Sequence, residues 1–298
     1  MTGTSAPSLP AATRLGPVRL VVADLDGVAG FYERAIGLRP LARDADAGLV
    51  TLGAPDGTPL VELVGRPDAV PRTRRASGLY HLALLLPSRA ELALALRRLA
   101  AARWPLEGAS DHLVSEALYL SDPEGNGIEL YRDRPREQWG RAPGGDIRMA
   151  TLPLDLDAVV AELPAAARAA DYADPGVPAG TRMGHVHLQV ADLAEAERFY
   201  HGLLGFDVVV RGYPGALFVS AGGYHHHLGL NTWASAGGPP NGPGTRGLAR
   251  FVVELPDGDA LAAVRDRLQA AGAPASASAD GLVTADPFGN ELLLRAAG

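Results

Sequence analysis

The sequence predicts an α+β fold built from four βαβββ repeats. Residues 18–41 (VRLVVADLDGVAGFYERAIGLRPL) and residues 186–209 (VHLQVADLAEAERFYHGLLGFDVV) share one plan, in which an apolar strand is followed by Ala-Asp-Leu and a helix. Residues 80–102 and 250–272 repeat this plan in a weaker form. Because similarity at a regular spacing indicates one supersecondary unit copied along the chain, we expect four copies of the same structure.

Each repeat is expected to begin with a strand and a capped helix. Alternating apolar residues predict the strand. Asp24 and Asp192 stand at the N-cap position, where a carboxylate accepts hydrogen bonds from the first turn of the helix. Gly37 and Gly205 follow the helices and provide the left-handed residue that commonly ends them.

Two Asp-Pro-x-Gly-Asn turns, which begin at Asp122 and Asp286, precede the apolar last strands of the second and fourth repeats. The segment between the second and third repeats is rich in proline and glycine, which is typical of a linker, and it contains one short helical stretch around 156–163. We therefore expect a disordered tail over 1–15, a first pair of repeats over 16–133, a linker over 134–182 and a second pair of repeats over 183–298.

Composition excludes several classes of protein. The net charge of −7 and the scattered basic residues argue against a nucleic-acid partner. No apolar run is long enough to cross a bilayer, and the N-terminal residues lack a secretory pattern, so we expect a cytoplasmic protein without a membrane partner. The chain contains no cysteine, so any metal must bind to histidine, aspartate, glutamate or water.

The motifs GHVHLQVADL and DPEGNGIEL resemble the vicinal oxygen chelate superfamily, which includes glyoxalase I, bleomycin-binding proteins and extradiol dioxygenases. The runs GASDHLVSEALYLSDPEGNGIELYRDRP and GGYHHHLGLNTW are most similar to bacterial catechol 2,3-dioxygenases with two domains. The resemblance implies that pairs of repeats form two eight-stranded half-barrels, and that a half-barrel can hold a metal. Fold alone does not determine the reaction.

In the family, metal ligands lie on the first and last strands of the repeats. The first-strand position lies seven residues before the helix cap. By the resemblance, this position is His81 in the second repeat and His185 in the third. The first and fourth repeats have Pro17 and Arg250 there, and neither residue can bind a cation.

The last-strand position lies seven residues after the aspartate of the turn, which is Glu129 in the second repeat and Leu293 in the fourth. The resemblance therefore implies a metal site of His81, Glu129 and His185. Two histidines and one carboxylate leave open positions on a non-haem Fe(II), with Mn(II) as the alternative. Glu291 is the reserve ligand, although a shift of two residues along a strand displaces it by roughly 6 to 7 Å.

This ligand set requires the second repeat to pair with the third across the linker. The first and fourth repeats would then form a scaffold without metal, even though Glu62 lies on the last strand of the first repeat. If repeats instead pair in chain order, His185 or His187 would have to act with the histidine run and Glu291.

Three further residues match family positions near the substrate. The run from Tyr224 to Leu230 is expected on the last strand of the third repeat, where His226 fits the acid–base histidine, and His225 and His227 would share the opposite face. Tyr119, ten residues before Glu129, matches a tyrosine that binds a substrate oxygen. His112 is a looser match for a catalytic residue.

The resemblance thus implies an Fe(II)-dependent extradiol dioxygenase. Its partners would be a small aromatic diol and O2, the product would be a semialdehyde, and the chain could act as a homo-oligomer. Two alternatives remain open: a metal-dependent isomerase or lyase of the glyoxalase type, and a metal-free resistance protein that binds a small molecule. A histidine, rather than a glutamate, on the last strand of the third repeat disfavours the isomerase.

Overall fold

The computed structural model describes residues 8–297 and contains all four predicted repeats. The first repeat consists of β1 (Arg14–Val22), α1 (Leu25–Phe31), β2 (Arg39–Asp44), β3 (Leu49–Gly53) and β4 (Pro59–Gly65). The second repeat consists of β5 (Gly78–Leu85), α2 (Arg89–Ala101), β6 (Gly108–Asp111), β7 (Ser115–Ser121) and β8 (Gly127–Asp133).

The linker contributes two short elements, β9 (Leu152–Pro153) and α3 (Leu156–Ala161), so the predicted helical stretch is confirmed. The third repeat consists of β10 (Arg182–Gln189), α4 (Leu193–Glu197), β11 (Asp207–Val210), β12 (Ala216–Ser220) and β13 (Leu228–Asn231). The fourth repeat consists of β14 (Gly247–Leu255), α5 (Gly258–Ala270), β15 (Ala275–Ser278), β16 (Gly281–Ala285) and β17 (Glu291–Ala296).

The predicted helix ends are confirmed. The Asp24 carboxylate accepts a hydrogen bond from the Gly27 backbone N–H at 2.9 Å, and Asp192 caps α4 in the same way. Both helices continue into a π-helical segment that ends at a left-handed glycine, Gly37 with φ 87° and Gly205 with φ 94°. A side chain at either glycine would be strained in this conformation, which explains why the residue is glycine.

The strands form two sheets, and their order shows how the repeats combine. The eight-stranded sheet has the order β15-β16-β17-β14-β1-β4-β3-β2 and therefore joins the fourth repeat to the first. The nine-stranded sheet has the order β11-β12-β13-β10-β5-β8-β7-β6-β9 and joins the third repeat to the second. The prediction of eight strands from each pair of repeats is confirmed, and β9 from the linker adds a ninth beside β6.

Contacts divide the chain into two units. The N-terminal unit contains Arg19–Val70 and His81–Gly184, and the C-terminal unit contains Pro71–Tyr80, the residues from His185 onward and the described residues up to Val18. Within the C-terminal unit, the buried Tyr200 hydroxyl donates to the Asp286 carboxylate at 2.9 Å. A tyrosine of the third repeat is thereby bonded to the Asp-Pro-x-Gly-Asn turn of the fourth.

The beginning of the chain differs from the predicted tail over 1–15. Residues 1–7 lie outside the described residues. Leu9 is buried, its backbone N–H donates to the Gly205 carbonyl at 2.7 Å, and β1 already begins at Arg14. Burial of this leucine and its backbone hydrogen bond hold residues 8–13 on the C-terminal unit. Between residues 8 and 297, no helix has the length and apolar character needed to span a membrane.

Candidate metal centre

Two predicted ligands lie on adjacent strands of the N-terminal unit. β5 and β8 are parallel neighbours, with His81 opposite Gly127 and Ala83 opposite Glu129, so His81 and Glu129 project from the same face. Both are buried, and His81 Nε2 lies 3.0 Å from Glu129 Oε2. A buried carboxylate is costly unless a hydrogen-bond donor or a cation lies beside it, so either an imidazole N–H of His81 or a metal ion suits this position.

Tyr119 and His112 lie on the same side of this sheet as the ligand pair. Tyr119 is directly opposite Glu129 on β7, and its ring centroid is 5.6 Å from that of His81. His112 Nδ1 lies 2.7 Å from the Ala150 carbonyl oxygen, and His112 Nε2 lies 2.6 Å from the Tyr119 hydroxyl. Because a carbonyl only accepts, Nδ1 must carry a proton, and in a neutral ring the Tyr119 hydroxyl donates to Nε2.

The remaining predicted ligand lies on β10 of the C-terminal unit. This strand carries three polar residues at every second position, so that their side chains share one face: His185, His187 and Gln189. His187 is opposite Gly229 on β13, and a Cβ atom at residue 229 would lie 2.8 Å from His187 Cγ. The glycine therefore leaves room for an imidazole on this face.

The predicted position of the histidine run is wrong, because β13 begins only at Leu228. Gly222 and Gly223 both have left-handed φ values, 61° and 66°, which turn the chain away from the end of β12. His227 Nδ1 accepts from the Ala221 backbone N–H at 3.1 Å, and the His227 backbone already pairs with Val219 and Val186 of the neighbouring strands. His225 and His226 consequently lie in a buried turn that His227 ends, and the expected alternation of faces along a strand does not apply to them.

The histidines of this turn differ in what they contact. His226 lies closest to the predicted ligand, with its ring centroid 4.1 Å from that of His185. His225 Nδ1 lies 2.8 Å from His226 Nδ1, so one of the two nitrogens donates to the other. His227 instead contacts the Ser220 hydroxyl at 3.1 Å and has a structural role. Of the three histidines, His226 is therefore the best placed to act beside His185, and His225 is its hydrogen-bond partner.

The residues predicted as ligands come together. Within the described residues, one nitrogen each of His81 and His185 and one carboxylate oxygen of Glu129 all lie within 4.8 Å of one another, and all three side chains are buried. Two imidazoles and one carboxylate form a donor set that suits a divalent transition metal and leaves coordination positions for other ligands. The negative charge of Glu129 also fits a cation. Glu291 and Glu62 belong to no such group in the described part of the chain.

Three features of the site escaped the sequence prediction. The linker carbonyl of Ala150 fixes the proton on His112, and only the pairing of β9 with β6 brings it there. The contact between His225 and His226 depends on the turn at Gly222 and Gly223. Tyr80 packs edge-on against His187 with ring centroids 5.1 Å apart, although it lies in an apolar strand motif that carries no chemical signal.

Comparisons with known proteins identify relatives that match most of the chain. A model of the glyoxalase/bleomycin resistance protein/dioxygenase superfamily matches residues 14–130 and 182–294. The chain is 44% identical over 264 residues to a catechol-2,3-dioxygenase of Bacillus subtilis (strain 168), covering 87% of this chain and 89% of the relative.

Solved structures resemble its fold at low sequence identity. A protein of Bacillus subtilis subsp. subtilis str. 168 aligns with a TM-score of 0.63 and 12% identity over 98% of this chain and 86% of the other. Glyoxalase I from Zea mays aligns with a TM-score of 0.57 and 16% identity over 95% and 92% of the two chains. At these identities the likeness shows the fold alone.

Proposed function

We propose an extradiol ring-cleaving activity for this chain, which belongs to the glyoxalase/bleomycin resistance protein/dioxygenase superfamily. The substrate would be a catechol-type diol, which is opened with O2 to a semialdehyde. The observation that carries the proposal is the buried group of His81, Glu129 and His185. The 44% identity to a catechol-2,3-dioxygenase over most of both chains supports the same reaction.

These three side chains would hold Fe(II), with Mn(II) as the alternative. A facial set of two imidazoles and one carboxylate leaves adjacent positions for other ligands. When bound, the metal would bring the diol and O2 together and conduct electrons between them. A neutral imidazole nitrogen of His81 and a carboxylate oxygen of Glu129 would then face the metal instead of each other.

His226 would move protons during ring opening. Its ring lies 4.1 Å from that of His185 between centroids, and its Nδ1 lies 2.8 Å from His225 Nδ1. A histidine in this place can accept a proton from one substrate oxygen and return it at a later step, because an imidazole can gain and lose a proton without a large change of pH. The neighbouring His225 would hold the ring of His226 in a fixed orientation.

Tyr119 and His112 would orient the diol from the other strands of the site. With a neutral His112 ring the Tyr119 hydroxyl donates to His112 Nε2, and a substrate hydroxyl would donate to the Tyr119 oxygen. A proton taken up by Tyr119 could move on to His112 Nε2, since His112 Nδ1 already donates to the Ala150 carbonyl. Tyr119 would therefore both position the substrate and pass on a proton.

The test is an assay of untagged protein purified anaerobically and loaded with Fe(II) or with Mn(II). We expect one metal per chain, O2 uptake on addition of catechol and a yellow ring-cleavage product. The same preparation is also given the hemithioacetal of methylglyoxal and glutathione. Isomerisation of that compound without O2 uptake would identify a glyoxalase-type enzyme, and a chain that binds no metal would contradict the proposal entirely.

A further inference from the structure

The face of β10 that carries His185 continues into a group of aromatic rings in the C-terminal unit. We call Tyr80, His187, Phe218 and Trp233 the aromatic cluster. The ring centroids of His187 and Trp233 are 5.4 Å apart, and those of Tyr80 and Trp233 are also 5.4 Å apart. Phe218 lies 5.8 Å from His187 and 4.9 Å from His226 between centroids. Ring contacts therefore connect the surface to the histidine beside the proposed metal ligand.

Two members of the cluster are exposed side by side. Tyr80 is 42% exposed and Trp233 is 48% exposed, which is unusual for two large aromatic side chains in contact. A contiguous exposed apolar patch can mark a binding surface, whereas single exposed apolar residues are ordinary. The cost of leaving them in water would be offset if a ligand covers them.

The indole of Trp233 is held in place for such a contact. Its Nε1 donates to the Pro214 carbonyl at 2.9 Å, and its backbone N–H donates to Asn231 Oδ1. A Cβ atom at residue 215 would lie 2.9 Å from the indole, so Gly215 gives the ring its space. Since the polar atom of the indole is satisfied by protein, the exposed part of the ring is suited to apolar contact.

Tyr80 is held by the segment that precedes it. The half-buried guanidinium of Arg72 donates to the carbonyls of Ala76 and Leu79, each at 2.8 Å, and also to Gln189 Oε1. Gln189 lies on the same face of β10 as His187. Arg72 thus ties residues 72–79 to β10 and fixes Tyr80 beside His187.

We propose that the aromatic cluster binds an apolar ring substituent of the substrate, so that the preferred substrates are aryl- or alkyl-substituted catechols rather than catechol itself. The inference rests on the proposed function, because it takes the diol to lie at His185. Along β10, His187 is one two-residue step from His185, roughly 6 to 7 Å. A substituent of about the size of a phenyl group would cover that step and pack against the exposed surfaces of Tyr80 and Trp233.

The first test compares substrates of the Fe(II)-loaded enzyme. We expect kcat/KM for 4-phenylcatechol or 3-phenylcatechol to exceed that for catechol, and Trp233→Ala or Tyr80→Ala to reduce this ratio by about 10-fold, as expected for the loss of one aromatic contact. The control is Trp139→Ala, whose indole donates to the Arg134 carbonyl outside the cluster. A ratio that neither cluster variant changes, or a preference for carboxylated catechols, would overturn the inference.

The second test does not depend on turnover. Binding of 4-phenylphenol to metal-free protein is measured by titration calorimetry, because a single hydroxyl cannot chelate a metal. We expect Trp233→Ala to weaken this binding by about 10-fold and Trp139→Ala to leave it unchanged. If 4-phenylphenol binds in this way but no catechol is cleaved, the dioxygenase proposal fails and the aromatic site stands. If catechols are cleaved but 4-phenylphenol does not bind, the aromatic site is wrong and the dioxygenase proposal stands.

Discussion

The two sheets are built from the same repeat, yet only the nine-stranded sheet has histidines at the first-strand positions. In the eight-stranded sheet those positions are Pro17 and Arg250. The carboxylate of Glu62 on β4 accepts from Arg19 Nε at 2.6 Å, so its charge is neutralised by a guanidinium. In the nine-stranded sheet the carboxylate of Glu129 faces the imidazole of His81.

This difference shows that a carboxylate on the last strand of a repeat does not make a metal site. An arginine is always protonated and presents only donors, so a carboxylate paired with it has no need of a cation. An imidazole can lose a proton and then bind a metal through the freed nitrogen. A carboxylate beside histidines can therefore take part in a metal site. Whether arginine or histidine lies beside the carboxylate therefore distinguishes the scaffold sheet from the candidate metal centre.

The largest expected effect is the loss of metal when a proposed ligand in the nine-stranded sheet is removed. The matched control removes the carboxylate of Glu62 from the eight-stranded sheet. We expect Glu129→Ala and His185→Ala to lose the bound metal and with it all measurable ring cleavage, because each deletion opens the coordination sphere. Glu62→Ala should keep one metal per chain. Elemental analysis and O2 uptake check both statements. Loss of metal in Glu62→Ala, or two metals in the unaltered chain, would show that the eight-stranded sheet also binds metal.

A smaller effect is expected inside the nine-stranded sheet, where His226 contacts a proposed ligand without being one. We expect His226→Gln to keep the metal and to lower kcat by roughly 10²- to 10⁴-fold, which is the usual contribution of a proton-transfer group. His227→Gln serves as the control, because His227 closes a backbone turn. If His226→Gln strips the metal, His226 is a ligand and one of the proposed three is not. If kcat is unchanged, His225 becomes the better choice.

Tyr119→Phe should reduce activity less than His226→Gln does, because it removes one proposed hydrogen bond to the substrate and leaves the ring in place. We expect a loss of roughly 10-fold in kcat/KM, which corresponds to one hydrogen bond. His112→Gln tests whether Tyr119 works through His112. It should reproduce most of the loss while the metal content stays constant. If His112→Gln has full activity, the contact between these two side chains has no part in turnover.

The sequence was sufficient for the repeats, the helix ends and the set of residues that meet as candidate ligands. The repeats and helix ends depend on local patterns of apolar, capping and glycine residues, whereas the ligand set followed from the family resemblance, which places a ligand seven positions before the helix cap, as His185 stands before Asp192. The order of strands then matched the required pairing of the second repeat with the third. The metal itself and the roles of the residues remain proposals.

The rest could not be predicted because it depends on contacts between distant segments. The turn that carries His226 follows from two left-handed glycines, whereas the alternation of a strand had been assumed there. Ala150 reaches His112 only through pairing of the linker with β6. Tyr80 lies in an apolar strand motif that predicts only a strand residue. Its packing against Trp233 is what indicates a binding role.

The smallest expected effect compares the two tyrosines of the repeated Phe-Tyr pair. Both are fully buried, but only the Tyr200 hydroxyl donates to a carboxylate, that of Asp286, at 2.9 Å. The Tyr32 hydroxyl has no hydrogen-bond partner within 3.5 Å, and its interaction with the corresponding carboxylate of Asp122 is longer than that of Tyr200 with Asp286; burial, then the charge of Asp122 and this side-chain contact, raise the pKa of Tyr32. We expect Tyr200→Phe to lower the free energy of unfolding by about 2 kcal/mol at pH 8, and Tyr32→Phe to change it by less than about 0.5 kcal/mol.

The effect of Tyr200→Phe should also depend on pH. Burial raises the pKa of Asp286, and the hydrogen bond from Tyr200 opposes that rise by favouring the ionised form. Without the hydroxyl, the pKa of Asp286 rises further above its value in the unfolded chain. A carboxyl with a raised pKa loses stability as pH increases through that pKa, so the variant should be most destabilised above it and should approach the unaltered protein as pH falls toward 4. Urea unfolding at several pH values measures this difference, and a destabilisation that is constant with pH would mean that Tyr200 acts through packing and not through the Asp286 carboxylate.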